Sequence, residues 1–143
     1  MFIQAVIEHL ENNGLGVFGT NIFGSLYPSN APDACTLVKV SAPPELSKDL
    51  PTQIHGIQIL TRAANTSTTP GYVLADKQAQ DILKLFHAEI SGSKWLSKHN
   101  YIIGNTTRYY VFSSRALQLP IDISPDEKGR SEFSINMQFK IRL

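Results

Sequence analysis

The C-terminal segment from Phe133 to Arg142 alternates strictly between apolar and polar residues. The apolar positions are Phe133, Ile135, Met137, Phe139 and Ile141. The polar positions between them are Ser134, Asn136, Gln138, Lys140 and Arg142. Successive side chains of a β-strand point to opposite faces of its sheet, so this pattern predicts a strand with one buried face and one solvated face.

The rest of the chain predicts helices and strands in mixed order. Residues 2–13 carry apolar residues at helical spacing and end at Asn12-Asn13-Gly14, which suits a helix C-cap. "ACTLVKVSA" and "TQIHGIQILTRA" favour strands, separated by "PPELSKDLP", which favours a loop. A helix of about 20 residues is predicted after Pro70, with Thr69 as its cap and an apolar stripe that reaches Ile90.

The order of these segments favours an α+β fold. "NIFGSLYP" has room for a short strand, and three strands in succession close the chain, which favours antiparallel hairpins. We therefore predict a mainly antiparallel sheet of about four to six strands, with two helices packed on one face. With 143 residues and no linker or internal repeat, residues 1–143 are predicted to form a single domain. No signal peptide or membrane-spanning segment is predicted.

Charge is unevenly distributed along the sequence. Residues 1–93 contain five Lys/Arg and eight Asp/Glu, whereas residues 94–143 contain eight and four. Such asymmetry fits head-to-tail contact between copies of the chain or contact with an acidic partner. Scatter over a solvated surface is the simpler interpretation. The overall net charge of +1 argues against a strong nucleic-acid binder.

No sequence motif predicts a catalytic, cofactor or metal site. "GLGVFG" matches the glycine spacing of dinucleotide-binding loops, but it follows a predicted helix where such a loop follows a strand. The four histidines are not spaced as metal ligands, and the single cysteine, Cys35, is predicted to be a buried, inert thiol. Asp122, Asp126 and Glu127 lie in a segment typical of a turn. We therefore predict a protein that is not an enzyme and uses no cofactor.

Nearly the whole chain resembles the tail terminator family of long-tailed bacteriophages, which includes proteins known as minor capsid or tail completion proteins. The resemblance rests on an opening helix, an aromatic–Gly–Pro stretch before a strand, a strand leading to a long helix, and an acidic-Gly-Arg turn before an Asn-bearing strand. These are "FIQAVIEHLE", "NIFGSLYPSNAPDACTLVKVS", "HGIQILTRA" with "ADKQAQDILKLFH", and "PIDISPDEKGRSEFSINMQFKIR". The last contains Asp126, Gly129, Arg130 and Asn136. Pro43-Pro44 departs from the Gly-containing turn expected there.

The resemblance implies a structural virion protein that forms a hexameric ring at the head-proximal end of the tail tube. Such a ring stops tube polymerisation and joins the tail to the head-side neck connector. Its implied partners are other copies of itself, the tube protein, the connector and the DNA that passes through, with no membrane. The implied location is the virion, after assembly in the bacterial cytoplasm. A head-completion or neck protein of the same virion is the alternative, followed by a small α+β ligand-binding module.

Two sets of residues are candidates for assembly contacts. The polar positions of the closing strand, Ser134 to Arg142, are predicted to line the ring channel or meet neighbouring subunits. The competing interpretation is an ordinary solvated sheet face. Two polar loops are candidates for docking on the tube or the connector, because loops on a rigid scaffold commonly carry binding. Their residues are Glu45, Lys48, Asp49, Asp126, Glu127, Lys128 and Arg130.

Overall fold

The computed structural model describes residues 2–46, 51–87, 89–91, 94–96, 98–123 and 125–142. Within these ranges, two helices, α1 and α2, span Phe2–Asn12 and Gly71–Phe86. The same ranges contain nine strands, β1 to β9 in chain order, which span Ile22–Gly24, Cys35–Leu46, Thr52–Ala63, Glu89–Ser91, Lys94–Leu96, Lys98–Ile103, Tyr109–Ala116, Ile121–Ile123 and Ser131–Arg142. Among these residues, no helix is long and apolar enough to cross a membrane.

Seven of the strands form one sheet in the order β1-β2-β3-β9-β7-β6, and β8 pairs with β9 beyond the end of β7. All pairs in this sheet are antiparallel except β1 with β2. β4 and β5 form a separate hairpin. The prediction of an α+β fold with a mainly antiparallel sheet is confirmed. The strand count exceeds the predicted four to six because β1 and β8 are only three residues long and carry little periodic signal.

Both helices pack on the same face of the sheet, which we call the inner face. The apolar side chains of β9 point into this layer and alternate with its polar ones, as the sequence predicts. Phe139 is fully buried at the centre, and its ring stands edge-on to Phe2 of α1 and Phe86 of α2, with centroid distances of 5.3 Å to each. The inner-face core therefore joins both helices to the closing strand.

The glycine-rich segment after α1 caps that helix. Gly14 has a positive φ of 73°, and its amide donates to the Glu11 carbonyl while the Leu15 amide donates to the Leu10 carbonyl. This pair of bonds is a Schellman motif, which satisfies the last carbonyls of the helix. "GLGVFG" thus lies at a helix C-terminus, whereas a pyrophosphate is bound by the free amides of a helix N-terminus. The predicted helix end is confirmed.

Both ends of α2 differ from the sequence prediction. Thr69 makes no cap, because Pro70 occupies that position and the Gly71 amide is bonded instead by the Asn65 side-chain oxygen at 2.7 Å. The helix ends at Phe86, and Glu89–Ser91 forms β4. The extension of the helix to Ile90 was therefore wrong. Apolar spacing continues past Phe86, but spacing alone does not distinguish another helical turn from the start of a hairpin.

The predicted loop at Pro43-Pro44 is also wrong in part. β2 continues through both prolines to Leu46, and the β2–β3 ladder accommodates them by register shifts between Val40 and Ala42 and between Ala42 and Glu45. Proline is tolerated at irregular, outward-facing strand positions because no ladder hydrogen bond is lost there. β2 and β3 therefore form one long arm.

His9 is expected to make stability fall in acid. Burial, together with the charge of Lys98, lowers the pKa of His9 from 6.5 to about 4. Its Nε2 atom is buried without a partner among the described residues, and its ring packs near Phe86 and Tyr101. Below pH 6.5, His9 is protonated in the unfolded chain but stays neutral in the folded chain. The free energy of unfolding therefore declines as the pH falls from 6.5 to about 4.

Replacing His9 by leucine should remove this acid-dependent loss. We expect the loss in the wild type to be about 1–2 kcal/mol, once the linkage value of about 1.4 kcal/mol per pKa unit is discounted for partial solvent contact. Urea unfolding of both proteins between pH 4 and 7 measures it. His99→Leu, at an exposed position, is the matched control and should keep the wild-type profile. Parallel profiles for wild type and His9→Leu would contradict the assignment.

Candidate assembly surface

The polar side chains of β9 lie on the outer face of the sheet, opposite the helices. β9 is flanked by β3 along its full length and by β7 and β8 on its other side. Ser134 is buried at 5% exposure and accepts a hydrogen bond from the Gln58 side chain at 2.9 Å. Asn136, Gln138 and Lys140 are partly buried, and Arg142 is exposed. Access to the predicted polar stripe therefore increases toward the end of the strand.

The Ser134 end of the outer face is covered by the segment from residue 25 to residue 34. Tyr27 and Ala31 of this segment pack on a second apolar cluster, formed by Phe23, Cys35, Leu37 and Leu60. Arg62 fixes the segment in place: it is 6% exposed, it donates to the Pro32 carbonyl at 2.8 Å and the Asp33 carbonyl at 3.2 Å, and its guanidinium lies 4.3 Å from the Tyr27 ring centroid. Burial raises the pKa of the Cys35 thiol, which keeps it protonated and inert.

The remainder of the outer face is open and carries basic and amide side chains from neighbouring strands. Lys39 of β2 is in register with Gln58 of β3, which is in register with Asn136 of β9. Arg115 of β7 lies opposite Gln138 and donates to its side-chain oxygen at 3.2 and 3.3 Å. We call this region the open outer face, defined by Lys39, Gln58, Arg115, Asn136, Gln138, Lys140 and Arg142.

Lys39 and Arg115 are members of this surface that sequence reasoning missed. Each lies in a strand whose local pattern shows only which face it occupies, and the neighbours of that face depend on the strand order. The two residues can be assigned to this surface only once the strand register is known, because the register places Lys39, Gln58 and Asn136 in one row. This surface offers hydrogen-bonding groups and positive charges. Its basic groups make no strong contacts with other described residues, so a partner can bind them without displacing such contacts.

The four predicted docking residues of the turn before β9 differ in whether they are bonded within the chain. The Asp126 carboxylate accepts hydrogen bonds from the amides of Lys128 and Arg130 and from Arg130 Nε at 2.7 Å, while Arg130 also reaches Asp33 at 3.2 Å. Although burial alone would raise it, the pKa of Asp126 is lowered by these hydrogen bonds. Asp126 and Arg130 are thus engaged within the chain, whereas Glu127 and Lys128 are exposed.

The other predicted docking loop is only partly described. Glu45 is exposed near the end of β2. Lys48 and Asp49 lie outside the described residues. The structure therefore gives a position to Glu45 alone, on the same side of the sheet as Ile54, its register partner in β3.

The described residues contain no group of three or more metal-ligating side chains. A cavity of about 330 Å³ lies between the glycine-rich segment and α2. Gln78 reaches into this region and donates to the Leu15 carbonyl at 2.8 Å, so its amide is already partnered. The described residues that line this cavity include no His, Asp or Glu that could act as a general base.

Comparison with known proteins identifies the family of the chain. A family model described as "Bacteriophage tail terminator protein" matches residues 9–143. No curated protein sequence matches the chain. A solved chain from the "Virion of native gene transfer agent (GTA) particle" has a similar fold, with a TM-score of 0.62 and 10% sequence identity, over 97% of this chain and 92% of that chain. The chain belongs to the bacteriophage tail terminator family and is a structural protein of the phage virion.

Proposed function

We propose that the chain forms a ring, of six copies, at the head-proximal end of the tail tube. The ring stops addition of further tube subunits and presents a surface to the head-side connector. It performs no reaction and needs no cofactor. The family match over residues 9–143 supports this role, and the open outer face is the observation that carries the structural part of the proposal.

The open outer face suits a channel through which DNA passes. Lys39, Arg115, Lys140 and Arg142 supply positive charge, and amide side chains lie between them. DNA that must move needs weak and replaceable contacts, because each tight phosphate contact adds to the free energy of release. A few dispersed basic groups among amides meet that requirement better than a dense basic cluster would.

Glu127 and Lys128 are proposed to contact the tail tube or the connector. Their backbone is held by the Asp126 hydrogen bonds, and Gly129 supplies the positive φ of 73° that the turn requires. The turn therefore presents two exposed charges of opposite sign from a fixed support. A rigid, charged loop loses little conformational freedom on docking.

Negative-stain electron microscopy of the purified protein, with and without isolated tail tubes, tests the proposal. We expect closed six-fold rings, free or on one end of each tube. Added to tube protein during polymerisation, the chain should also shorten tubes in proportion to its concentration. Rings that bind DNA-filled heads and ignore tubes would favour the head-completion or neck alternative. Monomers that bind neither would contradict both roles.

A further inference from the structure

Besides the terminal strands β1 and β6, two strands of the main sheet, β2 and β8, have an unpaired side among the described residues. β1 pairs with β2 only at Thr36, Leu37 and Val38. From Lys39 to Leu46, the side of β2 that faces away from β3 has no strand partner among the described residues. Every residue from Val40 to Leu46 is exposed, including Val40 at 49% and Leu46 at 72%. An exposed edge of this length is a template for pairing with another chain.

The second unpaired edge belongs to β8. Within the described residues, β8 pairs with β9 and with no other strand. It follows a loop whose side chains are unusually apolar for a surface segment, and Leu117, Leu119 and Ile121 are 53%, 73% and 46% exposed. A concentration of exposed apolar side chains next to a free strand edge marks a contact surface.

The two edges face away from each other and have the correct polarity to pair. β2, β3, β9 and β8 are consecutive neighbours in the sheet, so the free side of β2 and the free side of β8 are on opposite flanks. Each neighbouring pair is antiparallel, so β2 and β8 run in opposite directions. A second copy placed beside the first in the same orientation therefore brings β8 and β2 together as antiparallel strands.

Charge complements this arrangement on the outer face. Glu45 of β2 shares that face with Ile54, and Arg115, the last residue but one of β7, shares it with Gln138. Both side chains are exposed. The hydrogen bonds of Arg115 to Gln138 are long, at 3.2 and 3.3 Å, so its guanidinium is free to turn to a better acceptor.

We propose that neighbouring copies join by adding the β2 edge of one to the β8 edge of the next, with Glu45 facing Arg115. The inference rests on the ring of the proposed function and identifies its subunit contact. The contact is heterologous, because it joins two different patches, and such contacts generate rings when the rotation closes. Main-chain bonds supply affinity in this mode of pairing.

Pro43-Pro44 limits the strength of this contact. Prolines cannot donate to a ladder, so main-chain pairing along β2 is confined to the four residues from Lys39 to Ala42. The same prolines protect the arm from indiscriminate strand addition. β8 contributes only the three residues Ile121–Ile123. Because so short a ladder is weak alone, we expect ring closure to depend on concentration or on the tube as a template.

Charge reversal with rescue tests the contact. Glu45→Arg and Arg115→Glu should each lower the fraction of ring, measured by analytical ultracentrifugation and electron microscopy, by about tenfold, because each places like charges together. The double variant should return to within about threefold of wild type. Asp76→Arg and Lys84→Glu make the same kinds of charge change on α2, on the opposite face of the sheet, and should not alter free ring formation. Circular dichroism separates loss of folding from loss of assembly.

Disulfide trapping supplies a second measurement. In a Cys35→Ala background, the double variant Val40→Cys with Asp122→Cys should give a ladder of covalent oligomers that ends at the ring, while each single variant should not. If the wild type forms no ring with or without tubes, the proposed function fails, and this inference fails with it. If rings form but neither rescue nor trapping occurs, only the edge contact is overturned. Trapping to the tube protein would overturn it in favour of that partner.

Discussion

Replacing Phe139 by alanine is expected to lower the free energy of unfolding by about 3–5 kcal/mol. The side chain is fully buried, and its ring contacts Phe2 and Phe86 edge-on. The substitution removes apolar area from the core and also leaves a cavity between three elements that cannot all close around it. Each lost aromatic pair adds about 0.5–1.5 kcal/mol beyond the buried area.

Urea unfolding followed by circular dichroism measures this loss. Phe139→Leu keeps most of the volume and should cost less than half as much. Tyr72→Ala, on α2 at 57% exposure, is the matched aromatic control and should change stability by no more than about 0.5 kcal/mol. A loss below about 1 kcal/mol for Phe139→Ala would mean that the helices are not anchored on β9 as the structure indicates.

The inner half of this fold could be predicted from sequence because its information is local. The alternation from Phe133 to Arg142 specifies which side chains of β9 are buried without any knowledge of the neighbouring strands. The stripe of α1 does the same for that helix. In these two elements the spacing of apolar residues along the sequence matches the spacing of buried side chains, so the sequence pattern predicts which side chains are buried.

The outer half could not be predicted in the same way because it is made by contacts distant in sequence. The cover over the Ser134 end of the sheet depends on Arg62 reaching Pro32 and Asp33, about 30 residues earlier. An arginine in a strand gives no sign by itself that it will be buried under a loop. For the same reason, sequence alone treated all five polar positions of β9 as equivalent, although Ser134 is buried.

The candidate docking residues show the same limit. Asp126 and Glu127 are adjacent acids in one turn, and no local pattern distinguishes them. In the structure, Asp126 satisfies two amides and one guanidinium, whereas Glu127 is exposed. An Asp side chain at the start of a turn commonly accepts a hydrogen bond from the backbone amide two residues later. Gly129 marks the end of the turn that Asp126 begins, so its position was the available sign that Asp126, and not Glu127, has the structural role.

Reversing two charges on the open outer face is expected to have the largest functional effect. In a phage lacking its own copy of the protein, complementation with Lys140→Glu plus Arg142→Glu should reduce infectious particles by about a hundredfold or more. Every copy in the proposed ring would carry both substitutions, so the change in the net charge of the channel lining is the change in one chain multiplied by the number of copies. A negatively charged lining repels DNA along the whole channel, and the low-dielectric channel walls strengthen this electrostatic repulsion.

The position of the two side chains makes this result interpretable. Lys140 is partly buried, Arg142 is exposed, and neither is in an ion pair among the described residues, so folding should be retained. Lys84→Glu plus Arg108→Glu makes the same charge change at two exposed positions that are in no ion pair among the described residues, and should complement normally. Electron microscopy then distinguishes two ways of losing infectivity: tails that never join heads indicate a subunit or connector contact, whereas joined particles that retain DNA indicate a channel. Normal infectivity would leave the alternation of β9 with only its ordinary meaning, a sheet with one solvated face.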